Sequence, residues 1–337
     1  MRHIRLFLVT IFLYGASNLQ AAGPDFLPGP LVSLDDYFGH HVIVAEKSTH
    51  LLHLFTNQDG HPTLIKSYQM VTGKMSGNKV LQGDHRTPEG IYYFTEFIPR
   101  DKLLQRFGKE GEIYGIGAFV LNYPNPIDQR VGKSGGGIWI HSTNDETRID
   151  KGLDSRGCVV ISNNDLKDLS TYIELNKTMV VIVQDLFYIK KDTWEENRKG
   201  LQTVIDNWGK AWAGKDINNY ILHYSKEEFK DSVRGNYEQF RRYKLNVFSA
   251  AGNPEIHLDN VSLVQFGNYG VATFKQHYKF QTINDTGKKI LYLKRDEYYQ
   301  WKIVSEIWSK LDLEERQQVA FRPSMRFFDN SPAKGNN

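Results

Sequence analysis

A chain of 337 residues is long for one compact domain and sufficient for two. Its 40% hydrophobic and 24% charged residues exclude a disordered or fibrous protein. Arg2 and Arg5 carry two of the three net positive charges, so the remaining chain is nearly neutral. It offers no electrostatic ground for nucleic acid or an anionic membrane as partner.

The first 22 residues read as a signal peptide. Met1–Arg5 is a short basic start, Leu6–Tyr14 an apolar run, and 15–22 (GASNLQAA) supplies small residues for cleavage. The run is shorter than the roughly 20 apolar residues a membrane span needs. No later segment is apolar enough to span, so an exported, periplasmic or cell-envelope protein without a span after signal removal is expected. Export gives the only cysteine its interest. Cys158 has no internal disulfide partner, so its thiol is either a buried apolar filler or kept for reactivity.

Residues 23–40 are rich in Pro and Gly and read as an extended lead-in. From His41 short β-type runs follow one another: 41–46, 51–55, 67–71 and 91–95, with turn signals at 57–60 and 87–90. The charged, glycine-punctuated stretch 99–112 reads as a long loop with room for a helical turn. Residues 118–122 lead into the stiff polar loop 123–128 (YPNPID). A strand is expected over 138–140, another after Cys158, a helix over 162–173 with Ser162 and Asp165 as a capping pair, and a closing strand at 179–183.

Beyond about residue 192 the pattern changes. Leu201, Val204, Ile205, Trp208 and Trp212 fall at helical spacing. A short helical segment is expected over 220–224, strands through 272–280, a turn at Asp285-Thr286-Gly287 and a late strand over 298–304. Five of the six tryptophans lie in this part, which argues for a second core. From Leu313 the tail is polar and is expected to be loosely held.

The chemistry concentrates between Gly135 and Val160. A strand delivers His141 at its end, and Cys158 follows 17 positions later after Ser155-Arg156-Gly157. A thiol attacks a carbonyl as thiolate and needs a base or a positive charge nearby. His141 is a candidate base, Arg156 a candidate charge, and Gly157 lets main-chain N–H groups turn toward an oxyanion. Histidine at a strand end and cysteine on a turn also coincide without any chemistry.

The stretch resembles the YkuD-type L,D-transpeptidases, whose signature is His-Gly/Ser-Thr followed by Ser/Thr-His-Gly-Cys-x-Arg/Asn. This chain has His141-Ser142-Thr143 and Ser155-Arg156-Gly157-Cys158-Val159-Val160. Val71-Thr72-Gly73-Lys74, Thr87-Pro88-Glu89-Gly90 and the opening hairpin 41–55 match as well. Arg156 replaces the second histidine of the signature, and Val160 its arginine. The segment 123–128 looks like the branch typified by YafK and by the cell-shape L,D-carboxypeptidases of helical bacteria. Residues 193–310 resemble the NTF2-like fold.

These resemblances imply two domains: a mainly-β L,D-transpeptidase catalytic sandwich with short helices over 41–186, and an α+β NTF2-like domain over 192–312, before the tail 313–337. They imply attack by Cys158 on the bond between meso-diaminopimelate and D-alanine in peptidoglycan peptide stems. His141 would be the base, oriented by the Ser142 carbonyl. The amides of Gly157 and Cys158, with Arg156, would hold the oxyanion beside Ser155. Transfer to water gives an L,D-carboxypeptidase, transfer to a stem amine an L,D-transpeptidase making 3–3 crosslinks. The paired architecture of the helical-cell-shape enzymes favours water by fold-level analogy. A non-catalytic wall-binding or scaffolding protein with a vestigial thiol is the alternative. A homodimer through the NTF2-like domain is a further expectation, as is a ligand pocket within it. No cofactor or metal is implied. His40, His41, His50, His53, His61 and His85 have no ligand spacing and are expected at solvated or strand-face positions.

Overall fold

The computed structural model describes residues 25–322 and 326–328; the expected signal peptide lies outside them. The runs rich in β-branched residues form strands buried on both faces. The first sheet has eight strands. In chain order with β1 reserved for Leu31–Ser33, they are β2 (His41–Glu46), β3 (Leu51–Gln58), β4 (His61–Gln69), β5 (Gly90–Pro99), β6 (Gly117–Leu121), β7 (Trp139–His141), β8 (Val159–Val160) and β9 (Met179–Val183). Their order across the sheet is β8-β7-β6-β5-β9-β2-β3-β4. β9, last in sequence, sits centrally, parallel to β2 and antiparallel to β5.

Side chains alternate between the two faces of these strands. Ile43, Ala45, Val180 and Ile182 point into one core, with Leu166 and Leu169 of helix α3 (Asn163–Leu169). Val42, Val44, Met179 and Val181 point into another. That second core is completed by Val264, Tyr269, Val271, Ile290 and Tyr292 of the other domain's sheet. The two sheets therefore pack face to face.

The second sheet comprises β10 (Glu255–Phe266), β11 (Tyr269–Phe280), β12 (Ile283–Arg295) and β13 (Trp301–Lys310), in the order β13-β12-β11-β10-β1. Its other face packs on helix α4 (Lys191–Ala213) around Leu201, Ile205, Trp208, Phe240 and Phe274, a core of its own. Short helix α5 is Ile217–Leu222.

Several expectations are corrected. The lead-in is not a passive connector: β1 pairs with β10 as an edge strand of the second sheet, and the Trp194 indole donates to the Leu31 carbonyl at 2.7 Å. The loop expected over 99–112 holds helix α1 (Arg100–Phe107), which buries Leu103, and a 3-10 segment, Gly108–Tyr114. Within 123–128, Asn125 caps helix α2 (Pro126–Arg130) through a reciprocal bond pair with Asp128. Helix α6 (Tyr237–Ser249) has no counterpart in the sequence reading.

Asp285–Gly287 lies inside β12, and the turn is at 281–282. Gly287 is needed there because a Cβ would meet the Trp308 indole nitrogen at 2.4 Å. The late strand starts at Trp301, since Tyr298 and Gln300 are folded back on the Asp296 carboxylate.

The described part of the tail, residues 313–322 and 326–328, is docked and not loose. Helix α7 (Leu313–Gln317) places Glu315 2.9 Å from Lys177. Phe321 stacks on His40 at 3.6 Å, and Phe327 and Phe328 pack against Phe97. His40 is buried outside any strand rather than solvated, whereas His53 sits on β3, at one of the strand-face positions expected for these histidines. Among the described residues, no helix is long and apolar enough to cross a membrane, and no group of three or more His, Cys, Asp or Glu is placed to hold a metal ion.

Candidate active site

β8 runs parallel beside β7, with Val159 opposite Ile140 and Val160 opposite His141. This register brings Cys158, just before β8, to the level of Trp139, so two residues distant in sequence share one strand end. The turn leading to Cys158 is braced by Ser155. Its hydroxyl donates to the Cys158 carbonyl at 2.6 Å and accepts the Gly157 N–H at 3.0 Å. Gly157 has φ of +125°, and a Cβ there would lie 2.7 Å from the Arg86 carbonyl, so only glycine fits.

This brace alters the expected oxyanion hole. The Gly157 N–H is engaged within the turn, which leaves the Arg156 and Cys158 amides as the candidates. Val160 is fully buried, bonded through its main chain to Val71, and its side chain does not face the cleft.

Cys158 and His141 line one cleft of about 700 Å³. The Cys158 Sγ lies 3.4 Å from the Gly137 carbonyl. Burial pushes the thiol up to about 11, against the Trp139 main chain and the positive charges of Lys79 and Arg148, which favour the thiolate. His141 Nδ1–H donates to the Ser142 carbonyl at 2.5 Å, which leaves Nε2 as the proton acceptor. Burial lowers this imidazole to about 4; the Ser142 carbonyl opposes that and Arg148 adds to it. At neutral pH the pair rests as thiol and neutral imidazole.

Ser142 contributes twice. Beyond orienting His141, its hydroxyl accepts the Ile116 N–H at 2.9 Å and fixes the end of the 3-10 segment over the cleft. A Cβ on Gly115 would lie 2.3 Å from that hydroxyl, which accounts for the glycine at φ +59°. The Arg100 guanidinium donates to the Gly115 carbonyl at 2.9 Å and ties the start of α1 to that same end. The α1 and 3-10 segment so placed lays Phe107 and Tyr114 beside Trp139, with the Tyr114 ring edge-on to His141 at 4.9 Å.

The family of L,D-transpeptidase catalytic domains (YkuD) matches residues 40–182, and the Cds6 C-terminal NTF2-like domain matches residues 200–307. The solved structure of Bd1075 from Bdellovibrio bacteriovorus is 30% identical over 86% of this chain and 100% of that one, with a TM-score of 0.74. The chain belongs to the L,D-transpeptidase family. The helical cell shape determining protein Pgp2 from Campylobacter jejuni is 25% identical over 83% of this chain and 95% of that one, with a TM-score of 0.65. No curated protein sequence matches.

Within this L,D-transpeptidase fold the motif residues His141, Ser142, Ser155, Gly157 and Cys158 come together, while Arg156 is exposed at the cleft's rim. Sequence reasoning missed Arg148 and Tyr114. Arg148 lies in a 3-10 segment, Glu146–Lys151, between the two halves of the motif. Its side chain turns inward and lines the cleft, with Nε 2.7 Å from Asp154 and Nη1 3.3 Å from the Thr143 hydroxyl. Tyr114 lies two residues beyond the stretch read as a loop, in a segment given no assignment; the aromatic spacing of Phe107 and Tyr114 was its signal.

Proposed function

We propose that the protein is an exported cysteine enzyme that cleaves the bond between meso-diaminopimelate and D-alanine in peptidoglycan tetrapeptide stems. The observation that carries this reading is the single cleft holding the Cys158 thiol and an imidazole whose Nδ1 is locked, so that Nε2 is left to take a proton. The family membership supports the substrate class, and the basic, apolar, small-residue order of the N-terminal sequence supports export.

His141 Nε2 takes the thiol proton as Cys158 Sγ adds to the scissile carbonyl. The Cys158 and Arg156 amides receive the oxyanion. On collapse the imidazolium returns its proton to the leaving amine, and D-alanine departs from a thioester on Cys158. Water, relieved of a proton by Nε2, then adds to the thioester and releases a tripeptide stem with the thiol restored. The likeness to a cell-shape protein with the same two-domain layout supports water over a stem amine as acceptor.

Digestion of purified sacculi by the mature protein, read by mass spectrometry, tests this. Tripeptide stems are expected, lost in Cys158→Ala; new 3–3 dimers would instead make the enzyme a transpeptidase. The high thiol pKa favours a second reading, a wall-binding protein with an inert cysteine. It predicts that a carbapenem leaves Cys158 unmodified, whereas the catalytic reading predicts a covalent adduct.

A further inference from the structure

Within that reading of the cleft, we infer that Arg148 recognises the free carboxylate of the residue being removed, which makes this an exopeptidase site. The cleft offers four cations: Lys74, Lys109, Arg148 and Arg156. Lys74, Lys109 and Arg156 are exposed at its rim, where solvent screens them and their side chains are free to move. Arg148 alone is buried, with 9% of its surface exposed.

Its orientation is fixed by its partners. Asp154 takes the Nε edge at 2.7 Å and the Thr143 hydroxyl the Nη1 atom at 3.3 Å. Among the described residues no hydrogen bond is recorded at Nη2. A guanidinium held in one plane in the wall of a cleft matches a carboxylate far better than a mobile ammonium does. Its charge reaches both reacting groups, depressing the His141 imidazole and favouring the Cys158 thiolate, which places it beside the chemistry rather than at a remote wall.

The substrate's own geometry supplies the match. In a stem that ends in D-alanine, the terminal carboxylate is two bonds from the scissile nitrogen. A cation flanking Cys158 and His141 therefore meets it only when one residue follows the scissile bond. One more residue moves the carboxylate about 3.5 Å along the chain and puts an amide in its place. Asp154 holds the guanidinium and tempers its charge, so release of the amino acid does not leave a lone buried cation behind.

Binding to Cys158→Ala protein separates this inference from the catalytic reading, because no turnover is needed. Calorimetry compares a synthetic tetrapeptide stem ending in D-alanine with the same stem ending in D-alaninamide. The carboxylate form is expected to bind about 10- to 100-fold more tightly, as for a charge-assisted hydrogen bond. The added change Arg148→Met should abolish the difference by weakening the carboxylate form alone, and Arg148→Lys should restore part of it. Equal affinity for the two stems, no binding of either, or equal weakening of both by Arg148→Met would overturn the inference. A difference that persists in folded Arg148→Lys protein at full size, and also in Arg148→Met, would overturn it too. Discrimination in binding together with no cleavage by the wild-type enzyme would sustain the role of Arg148 and refute the proposed reaction.

Discussion

The main-chain N–H of Ile91, in the catalytic sheet, donates to the hydroxyl of Tyr269, in the NTF2-like sheet, at 2.7 Å. Both groups are buried between the sheets, and the Tyr93 hydroxyl meets Thr273 in the same layer at 2.6 Å. The two domains thus share a core rather than a linker. The boundary at about residue 190 is therefore bridged by a continuous core.

Truncation after residue 190 is expected to give insoluble or molten protein. It bares the face formed by Val42, Val44, Met179 and Val181 and removes the sheet paired with β1. Full-length protein should unfold in one cooperative transition seen alike by tryptophan fluorescence, to which the second domain contributes five of six indoles, and far-ultraviolet dichroism. Tyr269→Phe strands the Ile91 N–H and should cost about 1–3 kcal/mol in urea denaturation. Two separated transitions would contradict a shared core.

The resting protonation states set the pH behaviour. Attack needs a neutral His141, so kcat/KM should rise with pH through about 4 and hold across neutrality until the thiol itself ionises near 11. The imidazole pKa lies below its unfolded value of 6.5, so the native state is favoured while the ring is neutral. That contribution is complete above about pH 6.5 and is lost as pH falls toward 4, about 3 kcal/mol in all. Imidazole NMR titration and thiolate absorbance measure the two groups directly. A thiolate already present at pH 7 would contradict a neutral resting pair.

The Ser155 brace should matter to catalysis as well as to folding. Ser155→Ala removes the acceptor of the Gly157 N–H and the donor to the Cys158 carbonyl. A loss of about 1–2 kcal/mol in stability is expected. A fall of about tenfold or more in kcat is expected with it, because small misplacement of a nucleophile is costly. Gly157→Ala should be worse, since it adds strain at positive φ to a contact with the Arg86 carbonyl. An unchanged kcat in Ser155→Ala would remove the turn from the positioning of Cys158.

How far the sequence reached follows from what each element rests on. β2 and β9 are continuous apolar, β-branched runs, and such runs declare themselves. Helix α1 spans two turns and buries only Leu103, so its apolar positions are too few to stand out from the charged residues around them. Three-residue β1 exists because β10 offers it an edge, a reason that lies some 230 residues away. In the site, His141, Ser142 and Cys158 were legible because their spacing is set by two adjacent strands. Arg148 was not, because a 3-10 turn rather than a strand decides which way it points.

The docked tail carries the last prediction. Phe327 and Phe328 lie against Phe97 of β5, and Phe327 also meets Phe119 of β6. These are the strands that enter and leave the α1 and 3-10 segment over the cleft. Upstream, Phe321 is clamped by His40 and by its N–H bond to the Asp36 carbonyl. A double change Phe327→Ala and Phe328→Ala removes half-buried aromatic surface and should lower stability by about 1–3 kcal/mol. The larger effect is expected over residues 100–114, where hydrogen exchange should quicken as β5 and β6 lose their outer support. Because Gly115 and Ile116 are anchored to Ser142 and Arg100 independently of the tail, His141 should keep its orientation, so KM rises while the imidazole pKa stays put. Exchange confined to the tail itself, with residues 100–114 unchanged, would show that the aromatic dock does not reach the cleft.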